Sequence, residues 1–413
     1  MRFRIIGLSI LIMLSCARVS VWADTHWASP TGTAAWGNCK GSTPLSGTSA
    51  CSLSTAFSNA EGGDLVYLRG GTYNASSEFV THNSGTGTAD GQRVIFRAYT
   101  GETPTISVTN DYSAIYIDHS YWWLDGLTIR YNKNGSSGDT GCVKVGESGD
   151  GSYFKITNSD LQITASPTGD NIDTIVLQSN RCNYSLIQNN KLHGFGGSSC
   201  GGVILLGGGA IGVKVLNNEI YNLGVGIYCK HVNADTSFSS GAEWAYNYIH
   251  DIGQSNDGGL LGIPGWTNIH DNLIVNAQGT MFGINGGGSN GTNCLINHNT
   301  FVGGKFSAMN ENGGMINYSI TNNIIRNRDL YGGSGNTWSY NMWTNDTALG
   351  SHDLGNTSPT YVGGPNPTTV AGFALAVGSN GKGKASDGKD MGADVSRVGV
   401  QNGNLPPNIR ILD

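Results

Sequence analysis

Short apolar strands interrupted by asparagine recur along the chain. Ser185-Leu186-Ile187-Gln188-Asn189-Asn190-Lys191-Leu192 has the same form as Val213-Lys214-Val215-Leu216-Asn217-Asn218-Glu219-Ile220, and further copies end at Asn247, Asn272, Asn299, Asn323 and Asn341. From Asn190 the steps are 28, 29, 25, 27, 24 and 18 residues. Weaker copies precede them at Ile156-Thr157-Asn158-Ser159-Asp160-Leu161 and Trp123-Leu124-Asp125-Gly126-Leu127. Such a period, built from very short strands, belongs to a solenoid, in which a unit buries its apolar face only by stacking on its neighbours. The uneven step favours a parallel β-helix with one tight corner and loops of free length at another. With Asn217-Asn218 as the tight turn, strand 213–216 precedes it, 219–221 follows, and 225–230 is the third strand of the coil. Asparagine suits this corner because it tolerates the left-handed conformation and its amide can bond to the asparagine one coil away. Asn190, Asn218, Asn247, Asn272, Asn299 and Asn323 are therefore expected to form one axial ladder. At a rise of about 4.8 Å, roughly ten coils make a rod about 50 Å long.

Alternation along the third strands separates an inner from an outer face. Val143, Val145, Ile227 and Cys229 fall inward; Lys144, Gln178, Tyr228, Lys230, Asn285 and Asn310 fall on an outer stripe that reads as polar and exposed. Composition agrees with an all-β chain. Of 413 residues, 63 are Gly and 42 are Asn, and only 13% are charged. Both abundant types disfavour helices and favour turns. Ten Pro and no Gly-X-Y period exclude collagen, while 17 Tyr and 9 Trp argue against simple disorder.

Arg2 and Arg4 ahead of the apolar run from Ile5 to Leu14, with Val21-Trp22-Ala23 as a cleavage site, read as a secretory signal over residues 1–23. Acylation at Cys16 is the lesser alternative. No later run is long enough to span a bilayer. Removing the signal takes away three Arg and no acids, leaving 20 cations against 29 acids, a net charge of −9. That balance disfavours nucleic acid and acidic membranes as partners. Export permits disulfides. Cys39 with Cys51 is the favoured pair, Cys182 with Cys200 the second, and Cys229 reads as a buried free thiol.

Trp27-Ala28-Ser29-Pro30-Thr31-Gly32, Ser54-Thr55-Ala56-Phe57, Gly62-Gly63-Asp64-Leu65-Val66-Tyr67-Leu68-Arg69-Gly70-Gly71-Thr72-Tyr73 and Arg97-Ala98-Tyr99-Thr100-Gly101-Glu102-Thr103-Pro104 resemble the opening coils of secreted right-handed parallel β-helix proteins of the pectate lyase superfamily. The resemblance implies an all-β, single-chain right-handed parallel β-helix over 24–345, with a capping helix around 55–60. Residues 346–413 then read as a C-terminal cap and tail, since 381–388 with Lys389-Asp390-Met391-Gly392-Ala393-Asp394 resembles the closing segment of similar proteins.

It further implies carbohydrate binding on the third-strand face and the loops after it. Lyases of this fold remove the proton α to a uronate carboxylate with Lys or Arg while a cation neutralises that carboxylate. Lys230, beside His231, resembles the catalytic lysine of chondroitinase B and alginate lyase relatives, with Arg181 and Lys144 as substrate-binding cations and Tyr228, Gln178, Asn285 and Trp266 as further contacts. Calcium, if used, would be held by Asp170, Asp173 and Asp257, with Asp139 close by. Trp266 is the best residue for stacking on sugar, whereas Trp123 and Trp244 alternate inward as core. His250, His270 and His298 lack metal-ligand spacing and read as structural. The clustered Asp and His-Gly pair of polygalacturonase-like hydrolases, and the paired Asp with Gln of pectin methylesterases, are not found. The expected protein is thus a monomeric polysaccharide lyase acting on an acidic polysaccharide. A non-catalytic binding protein or adhesin is the alternative, and a glycoside hydrolase ranks below both.

Overall fold

The computed structural model describes residues 24–400 apart from 136–137, 166–170, 196–199, 207–209, 231–240, 254–257, 264, 278, 284–291, 308–314 and 330–333. The signal segment, with Cys16, lies outside the described residues. Three parallel sheets wind into a β-solenoid. Sheet A has twelve strands from Thr25–Ala28 to Thr337–Ser339, sheet B eleven from Gly71–Ala75 to Met342–Trp343, and sheet C ten from Phe79–Val80 to Arg328–Asp329. The chain visits A, B and C in turn, so it turns three corners, AB, BC and CA, in each coil.

The asparagine ladder stands at corner AB as the spacing predicts. Asn218 donates its backbone N–H and its side-chain Nδ2 to Asn247 Oδ1, both at 3.0 Å, and Nδ2 also to the Ile187 carbonyl at 2.9 Å. Asn247 repeats this onto Asn272, Asn272 onto Asn299, Asn299 onto Asn323, and Asn323 onto Asn341. Ser159 begins the column, giving its N–H to Asn190 Oδ1, and Asp353 ends it, accepting the Asn341 N–H at 2.8 Å. The ladder asparagines from Asn190 to Asn341 are fully buried. One detail differs from expectation: the left-handed residue is the one before each ladder asparagine. Asn189, Asn217, Tyr246, Asp271, His298, Asn322 and Tyr340 have φ between 52° and 62°. The ladder asparagine is thus selected for its amide rather than for its backbone freedom.

Helix α1 (Leu53–Asn59) stands close to the expected helix and starts at Ser52, whose hydroxyl accepts the Thr55 N–H. It buries Leu53, Ala56 and Phe57, and Phe57 stacks on Trp122 and Phe79. The core is the continuous interior of the coils, including Ile156, Ile187, Val215, Trp244, Ile269, Ile296 and Ile320 of sheet A.

After the last strand of sheet B the chain returns along corner AB. Asn322 Oδ1 accepts the Ser386 N–H at 2.8 Å, the Gly392 carbonyl faces His298 Nδ1 at 3.2 Å, and Asp394 donates its N–H to Asp271 Oδ1 at 3.1 Å. Gly399 donates to the Tyr246 carbonyl, and Asn217 Nδ2 to the Arg397 carbonyl at 2.6 Å. This strap therefore reads the left-handed row, one coil after another. Among the described residues, no helix is long and apolar enough to cross a membrane.

Candidate functional site

The register of sheet C places Tyr228 level with Ile204, Val176, Lys144 and Tyr116 on one side and with Leu261 on the other. Lys230 is level with Leu206 and, one coil further, Gln178. Ile227 and Cys229 lie in the core, as alternation requires, and Cys229 is a free thiol. The outer stripe is not the continuous polar surface that alternation suggested. Val176, Ile204, Leu206, Val225 and Leu261 form a second buried apolar cluster with Tyr228 packed on it. Parallel sheets covered on both faces read as near-continuous apolar runs, and Gly202-Val203-Ile204-Leu205-Leu206 is such a run. Asn285, Asn310, His231, Asp170 and Asp257 lie outside the described residues.

Polar side chains gather where sheet C opens towards corner CA. Lys144 Nζ lies 2.7 Å from Glu147 Oε1, and the Arg181 guanidinium donates to the Glu147 carbonyl oxygen, so Glu147 brings the two expected cations together. One coil before Lys144, the Tyr116 hydroxyl donates to Ser148 Oγ at 3.1 Å and accepts the Ser148 N–H at 2.9 Å. Glu78 adjoins them; burial raises its pKa, a shift that the Lys144 charge opposes. His119 Nδ1 is 3.1 Å from Thr81 Oγ1, and burial lowers its pKa. Lys144 is thus already paired, and Arg181, the exposed cation of the group, is the one placed to meet a ligand carboxylate. Sequence reading missed Glu78, Tyr116, Glu147 and His119. Tyr116 was within reach, since Ile115-Tyr116-Ile117 alternates in step with Val143-Lys144-Val145.

Of the expected calcium ligands, Asp173 is buried at 4% exposure. Thr140 donates its N–H to the Asn171 carbonyl, so Asp139 comes close to Asn171. Asp139 Oδ1 is buried with no hydrogen-bond partner, an orphaned acceptor of the kind a cation satisfies. Among the described residues the group that gathers three potential ligand atoms within 4.8 Å is elsewhere, at Asp24, His26 and Asp64 in the first coil. There the Lys40 ammonium already sits 3.1 Å from Asp24 Oδ2.

The expected Cys39–Cys51 disulfide is not formed: both thiols are buried and free, that of Cys39 donating to the Trp36 carbonyl at 3.3 Å and that of Cys51 to the Trp27 carbonyl at 3.2 Å. Hydrogen bonding to Cys51 lowers the Cys39 pKa to about 5, while the same contact and burial raise that of Cys51. Of the second expected pair, both thiols are buried, and burial raises the pKa of each, that of Cys200 to about 12.

The three histidines near the tight turns each stand against carboxylates. His270 lies 3.1 Å from Glu243 and 2.9 Å from Asp271, His250 lies 2.8 Å from Asp251, and His298 lies 3.3 Å from Asp387 of the strap. Trp244 is core, as expected. Trp123 is not: it stands on the outer face, with the Arg97 and Lys155 cations over its ring and Nε1 donating to Thr157 Oγ1, and Trp122 takes the inward place. Trp266 is 50% exposed. Cavities of about 520 and 620 Å³ lie under the strap and at corner BC, away from sheet C.

No known family model matches the chain, and no curated protein matches it in sequence. Solved structures do match it. Pectate lyase Pel9A superposes with a TM-score of 0.61 at 15% identity, over 89% of this chain and 95% of the other. An alginate lyase from Paenibacillus sp. str. FPU-7 gives 0.44 at 12% identity, over 80% and 99%. A GH136 lacto-N-biosidase from Eubacterium ramulus gives 0.45 at 14% identity, over 80% and 65%. At these identities the likeness is one of fold, and the chain has the three-sheet parallel β-solenoid architecture also seen in pectate lyase Pel9A.

Proposed function

We propose that the protein is an exported, monomeric polysaccharide lyase that cleaves an acidic, uronate-containing polysaccharide by β-elimination. The observation that carries this reading is the register of sheet C. It sets Lys230 level with Gln178, at the strand end that leads into corner CA, and Arg181 follows Gln178 by three residues, two coils away or about 10 Å along the axis. In the reading, Lys230 takes the proton from the carbon α to the uronate carboxylate. The adjacent C–O glycosidic bond breaks, a C=C bond forms, and the leaving oxygen gains a proton. An amine does this only when deprotonated, so Lys230 needs its pKa lowered from about 10.4 by neighbouring cations such as His231 or Arg181. Arg181 and Lys144 would hold carboxylates, and Gln178, Tyr228, Asn285 and Trp266 would hold hydroxyls and ring faces. Asp139, Asp170, Asp173 and Asp257 are the oxygen donors that would hold calcium, whose chemistry would be to neutralise the substrate carboxylate.

A second reading is a non-catalytic polysaccharide-binding protein: the outer face of sheet C at Val176, Ile204, Leu206 and Leu261 is buried and apolar, which leaves few catalytic groups on it. One experiment separates the two. β-Elimination leaves an unsaturated uronate that absorbs in the ultraviolet, and binding does not. Pectate, alginate and chondroitin are incubated with the protein, with and without a chelator. An absorbance rise that Lys230→Ala abolishes supports the lyase; retention on the polymer without any rise supports the binder.

A further inference from the structure

Corner CA carries a second periodic row. Two residues ahead of the aligned positions Trp123, Lys155, Leu186, Lys214, Glu243, Asn268, Leu295, Ser319 and Thr337 of sheet A stand Tyr121, Tyr153, Tyr184, Gly212, Gly241, Trp266, Asn293, Asn317 and Gly335. All nine have positive φ, from 56° to 82°. Glycine and asparagine are the residues this conformation admits without strain, and five coils use them. Four coils instead hold a tyrosine or tryptophan, at a backbone conformation where a bulky side chain is an outlier. Strain retained at a repeated position points to a use for the side chain.

Stacking accounts for part of the row. Tyr121 lies on Tyr153 at 4.8 Å and Tyr153 on Tyr184 at 4.9 Å, nearly parallel. Two members of the row are half exposed as well. Tyr184 is 49% exposed, and its ring rests over Gly212, where a Cβ would come within 2.6 Å of it. Trp266 is 50% exposed, and its neighbours in the row are Gly241 and Asn293. Tyr184 and Trp266 thus bracket a floor of two glycines, three coil steps apart, or roughly 14 Å. Charged groups stand beside this floor: Arg181, exposed three residues before Tyr184, donates to the Glu147 carbonyl, and Lys214, exposed two residues after Gly212, lies 3.2 Å from Glu243.

We infer that the Tyr184–Gly212–Gly241–Trp266 row is a binding rail for one chain of acidic polysaccharide laid parallel to the solenoid axis. A pyranose ring offers an apolar C–H face that packs on an aromatic ring, and Tyr184 and Trp266 each present such a ring. Gly241, with only Gly212 within 4 Å of where a Cβ would stand, leaves room for a sugar between the two anchors, and the exposed Arg181 is placed to meet a carboxylate. The inference rests on the proposed reading that the ligand is an acidic polysaccharide.

The test is affinity electrophoresis through gels holding polygalacturonate, alginate or a neutral galactomannan, with wild type, the double variant Tyr184→Gly/Trp266→Gly, and the conservative pair Tyr184→Phe/Trp266→Tyr. Glycine keeps the left-handed backbone, so the fold is retained. The double glycine variant is expected to bind the acidic polymers at least tenfold more weakly, and the conservative pair to recover most of the loss. Hydroxyl-radical labelling of the wild type should show Tyr184 and Trp266 protected by polymer. Unchanged retention of the glycine variant, or unchanged labelling, overturns the rail and leaves the functional reading standing. Loss of retention on galactomannan alone keeps the rail and overturns the acidic ligand. Failure of the wild type to bind any of the three overturns both.

Discussion

Corners AB and CA make the same demand on the backbone and answer it with different side chains. At AB a left-handed residue precedes each ladder asparagine, and the asparagine itself is buried and saturated with hydrogen bonds in six consecutive coils below Asn341. The left-handed residue itself varies at both corners, through Asn, Tyr, Asp and His at AB and through Tyr, Gly, Trp and Asn at CA, but among the described residues CA has no buried ladder beside it and part of its row is exposed. Where the fold alone dictates the residue, the repeat is strict. Where water or a ligand is the neighbour, the fold leaves the choice open, and the departures from glycine and asparagine are the informative positions.

The contrast can be broken by mutation. Asn247→Ala should have the largest effect on stability. It removes the Nδ2 donor to Asn272 Oδ1 at 2.9 Å and to the Val215 carbonyl at 2.8 Å, and leaves the Asn218 N–H without its acceptor. Loss of several buried bonds at once should cost about 3–5 kcal/mol, read as a fall in the denaturation midpoint. A cost below about 1 kcal/mol would mean the ladder is ornamental.

His270→Gln should have an intermediate effect that depends on pH. Burial alone would lower the His270 pKa, but its bonds to Asp271 and Glu243 outweigh this and raise it to about 9. Glu243, bonded to His270, is held at about 2. A raised histidine stabilises fully below its unfolded pKa of about 6.5, and that contribution is lost as pH climbs through about 9. The carboxylate contributes above its unfolded value of about 4.3 and loses its share as pH falls towards 2. The variant should therefore be less stable than wild type by on the order of 2 kcal/mol at pH 6, and the gap should close by pH 10. Equal gaps at both values would contradict the ion pairing.

The smallest effect belongs to corner CA. Trp266→Gly exchanges a half-exposed side chain for relief of backbone strain, so its stability should stay within about 1 kcal/mol of wild type. A loss as large as that of Asn247→Ala would make Trp266 a structural residue like those of corner AB.

The legibility of the chain follows the same division. The ladder could be placed to the residue from sequence, because a buried amide that bonds to its own copy one coil away tolerates no substitute. The short strands 219–221 and 225–230 stand where the pattern put them. The outer face of sheet C was misread because alternation separates the two sides of a sheet without saying whether the outer side meets water; Val176 and Ile204 are outer and buried. Trp123 was misplaced by a one-residue slip, which swaps every side chain to the opposite face, and Trp122 holds the core position instead. The strap escaped because it holds the rod through backbone groups, Gly392, Asp394 and Gly399 among them, whose side chains carry no pattern. In the candidate site, Lys144 and Arg181 were legible as cations on a strand and its exit, while Glu78 and His119 come together only through the winding of the coils.

The most direct test of the proposed activity is the ultraviolet absorbance of polygalacturonate and alginate solutions incubated with wild type and with Lys230→Ala, both verified as folded. The account predicts a steady rise with wild type and a fall in rate of at least a hundredfold in the variant, with the denaturation midpoint unchanged. Absorbance that rises equally with both proteins, or with neither while the polymers are bound, would contradict it.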